Sequence, residues 1–155
     1  MNAIDLLKTD HETVKALVSK LMETSDRAVK TRADLLDKIR NEVSVHTTIE
    51  EEIFYPAFQQ SGHKEQAKMV AEAKEEHRAV ESLVLPDLLN TDPSSVEFAG
   101  RMKVLKELLE HHMDEEEQEM FKDAKKLLSS EQLKTLGQQM EERKTQLKKS
   151  GKKQG

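Results

Sequence analysis

The sequence predicts an all-α protein: an up-down-up-down four-helix bundle, formed by a pseudo-twofold duplicated helical hairpin, with a short extra C-terminal helix. Its 155 residues suffice for one domain with a continuous core. Only 3% of the residues are aromatic, and five glycines and three prolines provide few turn signals. The apolar residues recur at helical spacing, which a disordered chain of similar charge has no reason to show.

The first predicted hairpin is delimited by capping and breaking residues. Asn2 can cap the helix that follows it, and Thr31 with Asp34 marks the start of a second helix. Pro56 is expected to bend or end this second helix, because proline lacks the N–H that an interior helical position uses. The connection to the second hairpin is predicted at Ser61-Gly62.

The second predicted hairpin begins with a helix over about residues 64–89, which Pro86 should kink near its end. Asp92-Pro93 is expected to start the fourth helix, with the aspartate as cap and the proline at the first helical position. This helix is predicted to run through Leu128.

Three parts of the chain follow from these boundaries. The predicted bundle spans residues 1–128. A shorter helix over 129–147, with a narrow apolar stripe, is expected to pack on the outside of the bundle. The remaining residues, 148–155, are basic and contain glycine, so we expect a disordered tail.

An internal repeat of 66 residues relates the two hairpins. Each half has one histidine on its first helix and a His-x-x-x-Glu sequence on its second, and 35 residues separate the two histidines in both halves. Two hairpins related in this way bring their equivalent residues to one level of a bundle. The aligned pairs are Asp10 with Glu76, His11 with His77, His46 with His112, Glu50 with Glu116, and Glu51 with Glu117.

These histidines and glutamates have the pattern of a metal site. Residues four apart lie on one face of a helix, and the histidines continue the apolar stripes, so they should point into the core. Burying such groups without partners costs several kcal/mol for each ion. A pair of metal ions removes that cost, and with no cysteine in the chain the imidazole and carboxylate ligands suit iron, manganese or zinc.

The same residues resemble the hemerythrin-like (HHE) cation-binding family, in which His, His-x-x-x-Glu, His and His-x-x-x-Glu stand on four successive helices. The resemblance covers about residues 3–128 and includes the segment 50–56, Glu-Glu-Glu-Ile-Phe-Tyr-Pro. It implies two non-haem iron ions joined by an oxo or hydroxo bridge, in preference to manganese or zinc. The metal ligands that it implies are His11, His46, Glu50, His77, His112 and Glu116.

Two positions depart from the oxygen-carrying hemerythrins. Those proteins have a second histidine one turn before the third-helix ligand, where this sequence has Ala73. They also place the last carboxylate five residues after its histidine, whereas Glu116 lies four after His112. One iron would lack an imidazole that the oxygen carriers use, so the expectation moves from reversible oxygen transport toward redox, peroxide or sensor roles.

The fourth-helix ligands have an alternative in His111 with Glu115, which also satisfy the His-x-x-x-Glu spacing. Neighbouring residues lie about 100° apart around a helix, so one of the two histidines faces the centre. The repeat favours His112, because it aligns with His46. The remaining histidine, His63, is expected to be solvated in its turn.

Two further residues are candidates near the metals. Glu81 lies one turn after His77 and is either an additional metal ligand or a surface residue in a charged row. Tyr55, the single tyrosine, is a candidate cofactor-binding residue whose hydroxyl can hydrogen-bond to a bound oxygen species or coordinate iron. The alternative for Tyr55 is simple packing near a helix end.

The leading functional hypothesis is a di-iron protein that binds or turns over O₂, NO or peroxide. A catalase- or peroxidase-like activity, handling of NO and a pure binding role all remain open at this stage. The alternative is an iron or oxygen sensor, or an iron-storage module, whose metal occupancy controls a partner interaction. A ferritin-like carboxylate site is disfavoured, because no histidine here has a glutamate three residues before it.

Composition also limits location and partners. The first twenty residues do not resemble a signal peptide, and no apolar run approaches the roughly 20 residues that span a bilayer. We therefore expect a cytoplasmic protein without a membrane partner. The net charge of −5 disfavours nucleic acid as a partner, and a monomer or weak homo-oligomer is expected.

Overall fold

The computed structural model describes residues 1–154, with side chains through residue 151, and contains five helices. Helix α1 spans Ala3–Met22. The side chain of Asn2 accepts a hydrogen bond of 2.8 Å from the backbone N–H of Asp5, which confirms the predicted cap. Among the described residues no helix is both long and apolar enough to span a membrane.

Helix α2 consists of an α-helical segment, Val29–Ile49, a π-helical turn, Glu50–Phe54, and a second α-helical segment, Tyr55–Ser61. It begins at Val29, earlier than the predicted start at Thr31. Pro56 does not end it, because the π turn precedes the proline and places it in the first turn of the second α-helical segment, where its N–H is not needed.

Helix α3 has the same construction, with α-helical segments Lys64–Arg78 and Leu85–Leu89 on either side of a π turn, Ala79–Val84. Helix α4 comprises Val96–Glu115, a π turn at Glu116–Met120, and Phe121–Leu127.

The predicted start of α4 at Asp92-Pro93 is wrong. Ser95 caps this helix, and its hydroxyl oxygen accepts from the N–H of Phe98 at 3.2 Å. The carboxylate of Asp92 instead accepts from the N–H of Ser94 at 2.9 Å, so it closes a turn that precedes the helix.

Helix α5 spans Ser130–Gln154 and packs on the outside of the bundle against α1 and α2. It therefore extends beyond the predicted end at residue 147 and includes positions 148–154, which the sequence predicted as part of a disordered tail; residue 155 lies outside the described residues. Gly137 permits this packing, because a Cβ atom there would lie 2.8 Å from the carbonyl carbon of Asn2 and 2.9 Å from the backbone nitrogen of Ala3.

The buried apolar side chains form two clusters, one at each end of the bundle. Both clusters draw residues from all four bundle helices, and on α1 and α3 the predicted ligands His11 and His77 lie between them in sequence. The first cluster includes Ile4, Leu7, Ile49, Phe54, Phe58, Val70, Phe121 and Ala124. The second includes Val14, Val18, Leu36, Ile39, Val80, Leu88, Leu105 and Leu109.

A buried arginine connects the two hairpin loops at the end of the bundle that holds the second cluster. The guanidinium of Arg32 donates to the carbonyl oxygens of Thr24 at 3.1 Å and of Pro93 at 2.5 Å. It also lies 5.2 Å from the ring centre of Phe98. These contacts join the loop of the first hairpin to the loop of the second.

Candidate metal centre

The six predicted ligands meet at the middle of the bundle, between the two apolar clusters. All are buried, with exposures between 0% for Glu50 and 7% for His46. They form two groups whose ligand atoms lie within 4.8 Å of one another. One group contains His11, His46, Glu50 and Glu116, and the other contains Glu50, His77 and His112.

Each carboxylate of the centre contacts one histidine from each hairpin. Oε1 of Glu50 lies 3.1 Å from Nε2 of His46, on its own helix, and 3.1 Å from Nε2 of His77. Oε1 of Glu116 lies 3.3 Å from Nε2 of His112, on its own helix, and 3.1 Å from Nε2 of His11. Glu50 belongs to both groups of ligand atoms, whereas Glu116 belongs to the first.

Four outer carboxylates orient the imidazoles. In each histidine Nδ1 faces a carboxylate, so Nε2 is the nitrogen that points to the centre. Such carboxylate–histidine pairs fix the ring and raise its basicity as a metal ligand. The pairs are His11 with Glu117 at 2.7 Å, His46 with Asp10 at 2.9 Å, His77 with Glu51 at 2.7 Å, and His112 with Glu76 at 2.7 Å.

Sequence reasoning did not assign a role to these outer carboxylates, although the repeat contained a signal for them. Asp10 aligns with Glu76 and Glu51 aligns with Glu117, so an acidic residue precedes each first-helix histidine and follows each inner glutamate. In a chain with 30 acidic residues this signal is weak on its own. It becomes specific only when the structure shows that each carboxylate reaches a histidine on another helix.

The hydrogen bonding of the inner residues fits a bound cation. Nε2 of His46 and both carboxylate oxygens of Glu50 are buried without a hydrogen-bond partner among the described residues. The 3.1 Å separation between His46 and Glu50 does not satisfy hydrogen-bond geometry. Unpaired buried polar atoms are rare in proteins and costly, and coordination to a metal ion would satisfy all three.

The pKa values show the same preference for positive charge at the centre. Burial lowers the pKa of His46, but the charge of Glu50 and the hydrogen bond to Asp10 outweigh burial and raise it to about 10. The pKa of His112 is also raised, because Glu116 and Glu76 together outweigh burial. Burial raises the pKa of Glu116, yet the neighbouring His112 and His11 bring it well below its usual value. Protons on the imidazoles thus provide the positive charge that metal ions would supply.

The π turns bring Tyr55 to the centre. In a π turn the N–H of residue i+5 donates to the carbonyl of residue i, and Tyr55 donates in this way to Glu50. Tyr55 therefore lies on the inward face beside its glutamate. Its hydroxyl donates to Oε2 of Glu116 at 2.7 Å and lies 3.3 Å from Nε2 of His77. Burial and the charge of Glu116 raise the pKa of Tyr55 well above its usual value.

Glu81 does not join either group of ligands. Its carboxylate accepts a hydrogen bond from the hydroxyl of Thr47, on the neighbouring helix α2. The side chain is partly buried, and this burial raises its pKa. Glu81 therefore contacts Thr47, which lies next to His46, rather than the predicted ligands themselves. Its role as a metal ligand stays a prediction.

The structure distinguishes His112 from its neighbour. The side chain of His111 is 62% exposed and lies 3.1 Å from Glu115 and 3.6 Å from Glu76. This surface group of His111, Glu115 and Glu76 lies outside the buried centre and could itself hold an ion, so the choice of His112 as the fourth-helix ligand stays a prediction. His63 stands at the turn before α3, where it occupies the N-cap position and is exposed.

Two small cavities adjoin the centre. One, of about 20 Å³, has the four histidines on one side and is otherwise mainly apolar; about 10–15 Å³ is enough for one water molecule. Its apolar walls are Val14, Val43, Val80, Leu109 and Met113. The second, of about 30 Å³, is more open and lies where the small side chain of Ala73 leaves space beside His112 and Glu116.

Four helices that present two histidine–carboxylate groups at one level define a metal-binding four-helix bundle. The comparison with known families specifies which one. Residues 2–124 match the hemerythrin HHE cation binding domain, and the chain belongs to this family.

Several relatives share the fold or the sequence. A crystal structure of a hemerythrin HHE cation binding domain-containing protein from Mycobacterium kansasii, a homologue of Rv2633c, superposes with a TM-score of 0.84 at 31% identity, covering 97% of this chain and 89% of that one. The uncharacterized protein Rv2633c of Mycobacterium tuberculosis is 31% identical over 96% of this chain and 88% of its own length. A DNA nickase of Nostoc is 27% identical over 85% of this chain but only 36% of its own length.

Proposed function

We propose that the chain binds two iron ions and uses them to bind or turn over a small oxygen or nitrogen species, namely O₂, NO or peroxide. The observation that carries this proposal is that Glu50 and Glu116 each contact two imidazoles, one from each hairpin. The membership of a cation-binding family supports it. The iron ions would supply redox chemistry and Lewis acidity at the centre.

The residues divide into two ligand sets with shared bridges. His11 and His46 would hold one ion, His77 and His112 the other, and Glu50 and Glu116 would join the two. This count leaves room for a small ligand on each ion. Imidazole and carboxylate ligands without thiolate suit iron, manganese and zinc. We prefer iron because the resemblance to the hemerythrin-like family implies it.

The surroundings favour a ligand of one or two heavy atoms. The cavity that the histidines line is about 20 Å³, and its apolar walls exclude bulk water and larger polar molecules. The hydroxyl of Tyr55 donates to Oε2 of Glu116 and lies 3.3 Å from Nε2 of His77, so it adjoins the predicted metal ligands rather than this cavity. A hydroxyl beside the metal ligands can exchange a proton with a bound oxygen species, as peroxide turnover requires.

Iron content and peroxide turnover together test the proposal. Protein purified from iron-replete cells should contain close to two irons per chain and show charge-transfer absorption in the near ultraviolet. Added peroxide should release O₂ if the centre turns it over, whereas a lasting spectral change without O₂ indicates binding. Protein without iron from such cells would overturn the proposal. The surface variant Glu52→Gln should contain as much iron as the wild type, because Glu52 belongs to none of the groups that could hold a metal ion and pairs with Arg143 instead.

A sensor or storage role is the second candidate. The buried unpaired atoms of His46 and Glu50 favour it, because metal that satisfies them must also stabilise the folded bundle. Metal-free and metal-loaded protein should then differ in melting temperature. Equal melting temperatures would contradict both candidates, because the first also requires metal at these atoms. Metal-dependent stability without peroxide turnover would favour the second.

A further inference from the structure

The outer carboxylate of Asp10 has a second partner that reaches it from outside the bundle. One of its oxygens accepts from Nδ1 of His46 at 2.9 Å. Its other oxygen accepts from the ammonium group of Lys144, on helix α5. Asp10 is buried and Lys144 is only 22% exposed, so the ion pair is largely shielded from solvent. A continuous chain of contacts thus runs from the C-terminal helix to the metal centre.

Within the part of the chain whose side chains are described, the other three outer carboxylates lack such a contact. Glu76, the repeat partner of Asp10, contacts the exposed His111 at 3.6 Å in addition to His112. Glu51 and Glu117, with side chains 39% and 31% exposed, form no ion pair with a lysine or arginine of the described residues. Lys144 therefore breaks the pseudo-twofold symmetry of the centre at His46 alone.

The contact should affect His46 both sterically and electrostatically. An ammonium group bound to one oxygen fixes the rotation of the Asp10 carboxylate, and with it the hydrogen bond that orients the imidazole. Without Lys144 the Asp10 carboxylate would keep a buried oxygen without a partner, which favours a rearrangement. The other three histidines do not depend on α5 in this way.

We propose that Lys144 is a positioning residue of the metal centre, which acts through Asp10 on His46, so that the half of the centre formed by His11 and His46 depends on the C-terminal helix. This inference rests on the proposed function, because it assumes that the centre binds two metal ions. It assigns α5 a part in metal binding, in addition to its packing on α1 and α2. It also predicts that the two metal positions are not equivalent.

Cobalt(II) binding to the full metal-free chain tests the inference, because its visible absorption reports each ion as it binds. Lys144→Met should weaken one of two binding steps by about tenfold, the lower end of the usual effect of outer-shell changes, and leave the other unchanged. Lys144→Arg should restore most of the lost affinity, since it keeps the charge. The matched control is Lys148→Met, one turn further along α5, where the lysine lies 3.7 Å from Glu42 and 48% exposed.

Each outcome decides between the two proposals. If wild-type protein binds no cobalt or iron, the proposed function fails, and this inference fails with it. If wild-type protein binds two ions and Lys144→Met weakens neither step, or both steps equally, the inference alone is overturned. Hydrogen exchange gives a second readout: zinc(II) should slow exchange of the α5 amides in wild type, and this protection should be reduced in Lys144→Met. Equal protection in both proteins would contradict the inference.

Discussion

Tyr55 and Phe121 occupy equivalent positions of the repeat, and each stacks on the first-helix histidine of the opposite hairpin. The ring of Tyr55 lies 5.6 Å from that of His77, and the ring of Phe121 lies 5.8 Å from that of His11. They differ by one hydroxyl group. Because Tyr55 donates to Glu116 and phenylalanine has no donor, Glu50 is left without the hydrogen bond that Glu116 receives.

The unpaired carboxylate of Glu50 leads to the first prediction. Replacing Glu50 with glutamine removes a bridging charge that both groups of ligands share. We expect Glu50→Gln to lower the metal content from about two ions per chain to one or fewer, as measured by elemental analysis of purified protein.

The control for this variant is Glu52→Gln, two residues further along α2. Glu52 points outward and pairs with Arg143 at 2.8 Å. The Glu52→Gln protein should retain the wild-type metal content. Unchanged metal in Glu50→Gln would show that this carboxylate does not bridge metal ions.

The outer carboxylates lead to the second prediction. Glu117 orients His11 through Nδ1 at 2.7 Å, so Glu117→Gln should keep the ring position but weaken the charge-assisted bond. We expect roughly a tenfold loss of metal affinity, as is usual for such partners. A competition titration against a chelator measures the metal affinity of the variant and of the wild type. Glu119→Gln, an exposed neighbour, should bind metal like the wild type, and equal affinities in all three proteins would contradict the assigned role of Glu117.

Much of the centre could be predicted from the sequence, because its residues obey helical spacing and recur after 66 residues. The His-x-x-x-Glu pairs lie on one helix, so their proximity depends on local geometry alone. The pairing of Asp10 with His46, in contrast, depends on how two helices pack. The π turns were also missed, since no residue type marks them: Lys122 follows the turn in α4 where Pro56 follows the turn in α2.

The raised histidine pKa values predict how the stability of metal-free protein depends on pH. The pKa of His46 is about 10 in the folded state against an ordinary value of 6.5. A raised pKa contributes stability that is fully present below pH 6.5 and is lost as pH rises toward 10. Thermal melts of metal-free protein should therefore show a falling melting temperature across this window.

Two comparisons identify the source of that slope. His46→Gln should reduce the slope, because the titrating imidazole is gone. Metal ions compete with protons for the imidazoles, so metal affinity should rise across the same window. A melting temperature of metal-free wild type that stays level or rises toward pH 10 would contradict the assignment.

The packing of α5 leads to a prediction on stability. Gly137 faces the backbone of residues 1–3, where a Cβ atom would be 2.8 Å from the carbonyl carbon of Asn2. Gly137→Ala should destabilise the protein by about 1–3 kcal/mol, the usual cost of overpacking, because backbone cannot move aside as a flexible side chain can. Urea denaturation measures the change.

Gly100 is the matched control, because it is also helical but has nothing within 4 Å of the position that an alanine Cβ atom would occupy. Gly100→Ala should stabilise the protein by about 0.5–1 kcal/mol through the better helix propensity of alanine. The two substitutions are chemically identical and should act in opposite directions. Destabilisation by both would mean that the contact of α5 with the N-terminus is not the cause.

The hydroxyl of Tyr55 can be removed without a change in packing, since Phe121 shows that phenylalanine fits the equivalent position of the repeat. Tyr55→Phe should keep the melting temperature of metal-free protein within a few degrees and retain two metal ions per chain. It should lower the rate of peroxide turnover by about tenfold or more, in the range of a lost proton or hydrogen-bond donor. The reason is that the variant loses the donor near His77 and leaves Glu116 with the same unpaired oxygen that Glu50 has.

The reciprocal variant, Phe121→Tyr, restores symmetry by offering Glu50 a donor, and it should bind metal while changing the absorption spectrum. If Tyr55→Phe turns peroxide over at the wild-type rate with an unchanged spectrum, Tyr55 serves packing alone.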